Sequence, residues 1–394
     1  AAQDWDAIYF RAGSVNSLLR HAIVKYGGYS FCWVGCNEAG AIDIATSSVT
    51  IANSEISDNN GGIRISSASP TITASTFLNN VAWGISMNGS SPEIRESIFR
   101  GNSAHGIECF GSSRPLIEGN TFDGNGNWAI YMDASSSGAR ILGNAYANGK
   151  PYNGIAGGAL TADATWTKDK TYVVTGQVIV PQGVTLRIEP GAVVKFTSDQ
   201  NWINGIEVQG TLIADGNLPG GGFEPIYFTS VNDNSIGGAT GNGSPAAQDW
   251  DAIYFRAGSV NSLLRHAIVK YGGYSFCWVG CNEAGAIDIA TSSVSIANSE
   301  ISDNNGGIRI VSASPLITAS SFLNNVGWGI WMSGSSPEIR ESIFRGNSGN
   351  GIECLGSSRP LIEGNTFDGN GNWAIYMDAS SSGARILGNA YANG

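Results

Sequence analysis

Residues 62–80, GIRISSASPTITASTFLNN, and residues 84–102, GISMNGSSPEIRESIFRGN, align without a gap. Within each, apolar residues alternate with polar ones, as in Ile63-Arg64-Ile65 and Ile85-Ser86-Met87, which is the period of a half-buried strand. Asn-Gly, Ser-Pro and Ser-Ser pairs punctuate the runs, and these residues favour turns through their backbone freedom and short polar side chains. The pattern extends outward. Ile51, Ile72, Ile94, Ile117 and Ile141 form one register, and Ile56, Phe77, Phe99, Phe122 and Tyr146 a second, at spacings of 20–24 residues. A third reads GIRI, GISM, GIEC and AIYM from Gly62, Gly84, Gly106 and Ala129. No window keeps a helical spacing. Three strands and three turns in roughly 22 residues make one rung of a parallel β-helix.

A single rung cannot bury its inward side chains, but stacked rungs share a core and complete one another's backbone hydrogen bonds. Strand parity then predicts Ile63, Ile65, Ile85, Met87, Ile107, Cys109, Ile130 and Met132 inside, with Arg64, Ser86, Glu108 and Tyr131 outside. Asn59, Asn80, Asn102 and Asn125 recur three residues after the second marker and are expected to pair as an amide ladder at one turn. Solvent-facing turn residues are the alternative.

A longer period overlies the short one. Ala1 to Gly149 returns as Ala246 to Gly394, offset by 245 positions with ten differences. This reads as a tandem array of right-handed parallel β-helices. In the second copy AAQDWDAIYF follows a GNGSP segment, so the chain is expected to open within a unit of a longer repetitive protein. The expected organisation is the C-terminal portion of one unit at 1–149, a junction at 150–164 and a complete unit at 165–394.

Charged residues are 13% of the chain, apolar ones 42%, and glycine accounts for 54 of 394 positions. That composition describes a folded chain. A net charge of −11 without a Lys/Arg cluster argues against nucleic acid as a partner. No apolar run approaches 18 residues, so membrane insertion is not expected. The six cysteines are three positions used twice. Cys32 with Cys36, and Cys277 with Cys281, sit in an insertion loop, FCWVGCNEAG, and are candidates for local disulfides. Zinc would need two further ligands there. Cys109 takes the slot of Ile65 and Met87 and reads as a small buried hydrophobe.

Between Ala164 and Ser230 the strands are denser, with Val-Ile-Val, Leu-Arg-Ile and Val-Val-Lys-Phe separated by tight glycine turns. This stretch resembles the opening rungs of right-handed parallel β-helix domains of the pectin-lyase-like superfamily, found in bacterial secreted and surface proteins. NSLLRHAIVKYGG is similar to another of their rungs. The resemblance implies an extracellular or cell-surface location. It also implies a fold that serves enzymes and passive stalks alike. Its enzymes cleave acidic polysaccharides with clustered carboxylates, or with Arg or Lys and bound calcium, on one outer face.

None of the Asn-Thr-Asp, Asp-Asp, Gly-His-Gly or Arg-Ile-Lys signatures of galacturonan hydrolases is found here. The nearest approach, Ala104-His105-Gly106, becomes Gly349-Asn350-Gly351 in the second copy. Asp4 and Asp6, repeated as Asp249 and Asp251, have the spacing of an acid/base pair on one face, or of backbone caps beside Trp5. Asp123-Gly-Asn125-Gly-Asn127 opens like a calcium loop, but Ala134 stands where the twelfth-position Glu belongs. At most adventitious calcium is expected at that turn, and no cofactor. Eleven tryptophans could stack on sugars or be buried under turns.

The expectation from sequence is a non-enzymatic extracellular structural protein, forming a fibre with copies of itself end to end or laterally, and with surface polysaccharide as a further partner. A polysaccharide-binding or polysaccharide-cleaving protein of the pectin-lyase-like type is the alternative. Three outward polar residues, Ser66, Thr71 and Ser86, become Val311, Leu316 and Trp331 in the second copy. With Tyr376, these form a candidate contact patch anchored by Trp331.

Overall fold

The computed structural model describes residues 1–29, 40–148, 152–169, 171–198, 204–274 and 285–393. They form two compact units, Ala1–Ala156 and Gly157–Gly394. Each is built from three parallel sheets to which successive rungs contribute one strand apiece.

In the first unit the first sheet takes Ile8–Phe10, Gly40–Ile44, Gly61–Ser66, Ile85–Asn88, Ile107–Phe110, Ile130–Met132 and Asn153–Ile155. Neighbours pair in register, Ile63 with Ile85, Ile85 with Ile107 and Ile107 with Ile130. In the second unit the first sheet includes Val178–Val180, Ile206–Val208, Ile253–Phe255, Gly285–Ile289, Gly306–Val311, Ile330–Ser333, Ile352–Leu355 and Ile375–Met377. Two 3-10 turns, Ala134–Ser136 and Ala379–Ser381, are the helical segments among the described residues, capped by Asp133 and Asp378.

Parity holds throughout the predicted core. Ile63, Ile65, Ile85, Ile107, Cys109, Ile130 and Met132 are fully enclosed, Met87 nearly so, while Arg64 is exposed and Ser86, Glu108 and Tyr131 are half-buried. Identical positions stack. The rings of Phe77 and Phe99 lie 4.7 Å apart and those of Phe99 and Phe122 5.1 Å apart. These separations follow the 4.7–4.9 Å spacing of neighbouring strands.

The asparagine ladder is formed and buried. Asn59 Nδ2 donates to Asn80 Oδ1 at 3.1 Å, Asn80 Nδ2 to Asn102 Oδ1 at 2.8 Å, and Asn102 Nδ2 to Asn125 Oδ1 at 2.9 Å. Each Oδ1 also accepts a backbone N–H from the preceding rung, as Asn80 Oδ1 does from Asn59. The second Nδ2 hydrogen of Asn80 reaches Ile56 O. These side chains therefore satisfy turn groups that the strands leave unpaired.

Candidate functional site

The outward side chains of the first sheet in residues 157–394 form one row. Register pairs Glu207 with Tyr254, Tyr254 with Asp288, Asp288 with Arg309, Arg309 with Trp331, Trp331 with Glu353, and Glu353 with Tyr376. Alternation places all of these on one face.

Asp251 joins the row from the turn before the strand Ile253–Phe255. Its neighbour Trp250 is buried, stacked on Phe196 at 4.3 Å, with its indole N–H on Lys270 O at 2.7 Å. The Asp251 backbone is fixed on both sides: its N–H donates to Asn204 O and its carbonyl accepts from Gly273 N–H. The Tyr254 hydroxyl donates to Asp251 Oδ1 at 2.5 Å. Asp251 is 6% exposed. Burial raises its carboxyl to about 6, against the opposing pull of the Tyr254 hydrogen bond and of Arg256, and Asp288 adds to the rise. Burial also raises Asp288, which Arg309 partly offsets. The Tyr254 phenol is pushed up by burial and by Asp251.

Two guanidiniums brace these acids. Arg256 reaches Glu207 at 2.9 Å and lies over the Tyr254 ring, 4.7 Å from its centroid. Arg309 reaches Asp288 at 3.0 Å and lies over Trp331 at 5.4 Å. Glu207 further accepts from Gln209 at 2.8 Å and Gln177 at 3.1 Å. Burial opposes its charge, but these bonds hold its carboxyl below the usual range. Further along, Asn350 donates to Glu353 at 2.9 Å, and Tyr376 is 40% exposed.

The first unit repeats the Tyr-Asp-Arg-Glu-Tyr part of this row as Tyr9, Asp43, Arg64, Glu108 and Tyr131. Tyr9 donates to Asp6 at 2.8 Å with Arg11 over its ring at 4.2 Å, and Arg64 bonds Asp43. Ser86 stands in the Trp331 position, and beyond it His105 stacks on Tyr131 at 4.7 Å, with Phe110 at the ring edge.

The two acids of each repeated pair part company. Asp249 turns to the preceding loop, accepting from Ser230 at 2.5 Å and Asn232 at 3.3 Å, whereas Asp251 faces Tyr254. Asp123 accepts from Asn148 and Arg100, both at 2.9 Å, which keep its carboxyl low, and Asn125 belongs to the buried ladder. Of the patch residues, Val311, Trp331 and Tyr376 lie on the first sheet, while Leu316 lies on the second, paired with Ser295 and Glu338. Trp331 is 8% exposed. Cys109 and Cys354 are buried free thiols, and burial pushes Cys354 up to about 12. Cys32, Cys36, Cys277 and Cys281 lie outside the described residues. Among the described residues no group of three or more His, Cys, Asp or Glu is placed to hold a metal ion.

A family described as a right handed beta helix region matches residues 5–178 and 226–391, well over half of the chain. This chain belongs to the right-handed β-helix family. A second model, a pectate-lyase-like beta helix domain, matches 158–248. No curated protein matches the sequence. Among solved structures, the catalytic domain of a GH87 alpha-1,3-glucanase in complex with nigerose is 13% identical over 98% of this chain and 63% of its own, with a TM-score of 0.22. An alginate lyase from Paenibacillus sp. is 11% identical over 91% of this chain and 99% of its own, TM-score 0.24. The A-module of the Azotobacter vinelandii mannuronan C-5 epimerase is 9% identical over 98% and 90%, TM-score 0.21. This β-helix thus spans less than two thirds of the glucanase domain, and at these identities and TM-scores the likeness carries no argument about its own chemistry.

One expectation is nevertheless overturned, that of a non-enzymatic protein. Residues 158–248 match a pectate-lyase-like model, and the solved β-helices in the comparison include a glucanase, a lyase and an epimerase beside a hyper-glycosylated TibA fragment. The expectation rested on the missing hydrolase signatures, on the replacement of His105 by Asn350 in the second copy, and on reading the Asp pairs as backbone caps. Acid/base work on a glycosidic bond needs carboxylates, not histidine, and both copies of the row keep theirs. Among the described residues no helix is long and apolar enough to cross a membrane.

Proposed function

We propose that this β-helix protein binds a polysaccharide along the outward row of the first sheet in residues 157–394 and cleaves it there. The observation that carries the reading is a buried acid and a half-buried one on successive rungs, Asp251 held by Tyr254 and Asp288 in register with Tyr254, between Arg256 and Arg309. A carboxyl that keeps its proton towards neutral pH can protonate a glycosidic oxygen. A second, ionised carboxylate close by can take a proton or support positive charge on the sugar. Asp251 is the acid in this assignment and Asp288, whose charge Arg309 supports, the base. The Tyr376 ring offers a face on which a pyranose can stack. A polysaccharide substrate suits a protein that works outside the cell or at its surface.

The test is incubation of the purified full chain with a panel of soluble polysaccharides, reading binding by affinity electrophoresis and cleavage by new reducing ends. Cleavage of one polymer, reduced at least about a hundredfold by Asp251→Asn and by Asp288→Asn with binding kept, is the expected result. Absence of binding to every polymer, or cleavage indifferent to both substitutions, overturns it.

A further inference from the structure

We infer that the polysaccharide held on this row is uncharged, a neutral glycan and not a polyuronate; the inference rests on the function proposed above and concerns the same site. A polyuronate carries a carboxylate on every sugar. Recognition of such a chain takes cations free to meet those carboxylates, preferably guanidiniums in forked pairs. The row has two guanidiniums, and both are already engaged. Arg256 is held between Glu207 and the Tyr254 ring. Arg309 is held between Asp288 and the Trp331 ring. Each therefore has an anion on one side and an aromatic face on the other, from neighbouring rungs for Arg309, and from the neighbouring rung and its own for Arg256.

Glu207 is itself locked by Gln177 and Gln209, so Arg256 cannot be released by a simple swing of its partner. Counting the row, Glu207, Asp251, Asp288 and Glu353 stand against Arg256 and Arg309, four carboxyl groups to two guanidiniums. The chain as a whole carries −11. A polyuronate would bring its charges onto a surface already in anionic surplus, in a setting where partly buried charges are poorly screened. A neutral sugar meets the opposite situation. Its hydroxyls are donors for Asp288 and Glu353 and acceptors for the amides of Gln177 and Asn350, and its apolar face matches the exposed Tyr376.

The experiment is affinity electrophoresis of the full chain in gels cast with laminarin, dextran or galactomannan, and in parallel with polygalacturonate or alginate, at low and at physiological salt. Retardation by at least one neutral polymer at a concentration tenfold or more below that needed for either polyuronate is expected. In Glu207→Gln, loss of the anion frees Arg256, and affinity for polygalacturonate should appear at low salt and vanish at physiological salt. Wild-type protein that prefers polygalacturonate or alginate overturns this inference and leaves the polysaccharide reading standing. If no polymer of either class binds, both fall together.

Discussion

Replacing Asp251 with Asn should make the protein more stable at pH 8 and leave it unchanged at pH 4. Burial raises the Asp251 carboxyl from an ordinary 3.8 to about 6 in the fold. Between those values the folded chain holds a proton that the unfolded chain releases, so stability contributed by this residue falls as pH rises. The loss begins near 3.8 and is complete above about 6. Roughly two units at about 1.4 kcal/mol each give a penalty of about 3 kcal/mol at pH 8. Asn keeps an acceptor for the Tyr254 hydroxyl and carries no charge. For a unit of this size about 3 kcal/mol corresponds to a rise in Tm of about 6–12 °C. Paired thermal melts of wild type and Asp251→Asn at pH 4 and pH 8 measure it. The exposed counterpart Asp6 supplies the control, since Asp6→Asn should stay within about 0.5 kcal/mol at both values. A variant equally or less stable than wild type at pH 8 would refute the reasoning, because the carboxylate would then be well accommodated where it stands. The same substitution is expected to abolish cleavage, so the gain and the loss report on one group.

Other outcomes follow from the interior. Asn80→Ala orphans the buried Asn59 N–H and removes the ladder bonds to Asn59, Asn102 and Ile56; a loss of about 2–5 kcal/mol in urea unfolding is expected, against little change for the exposed Asn127→Ala. Ile107→Ala, at a fully enclosed position, should cost about 2–5 kcal/mol by the same measurement. Lys195 is fully enclosed, and its Nζ donates to Asp233 O, Gly238 O and Thr240 Oγ1 at 2.7–2.8 Å. Lys195→Met should therefore open the segment around 233–240 to limited proteolysis. Burial lowers the Lys195 ammonium from 10.5 to about 8. The unfolded chain then binds the proton more tightly between those values, so wild type gains stability from this residue across that window and Lys195→Met shows no such gain.

Most of the scaffold could be read from the chain because its rules are local and repeated. Alternation decides inside from outside for Ile107 and Glu108, and recurrence alone identified Asn80 and Asn102 as one ladder. The site was less legible. Asp249 and Asp251 have the same spacing and parity as any acid pair, yet one is claimed by Ser230 and Asn232 and the other by Tyr254. That division depends on a loop from the preceding rung. Lys195 shows the same limit: as the third residue of Val-Val-Lys-Phe it has outward parity, and it is buried because the loop carrying Asp233 and Thr240 covers it. Periodicity reports which way a strand residue points, and says nothing of what lies over it. The one signal available in the sequence was that Tyr, Asp, Arg, Glu and Tyr recur in order at the outward positions of both copies.

The in-register row has a consequence for how such a surface can change. Ser86 and Trp331 occupy the same place in the two copies, while the residues on either side, Ile85 and Met87 or Ile330 and Met332, remain enclosed and identical in kind. A serine has been exchanged for the largest side chain without disturbing the pairing of its strand with either neighbour. The backbone behaves like the frame of movable type: each rung holds one character, the spacing between characters is fixed by the strands, and a single character can be reset while the line stays straight. A glycan lying along that line would meet its specificity one rung at a time, so new preferences can arise by editing single outward residues in one copy while the other keeps the older text.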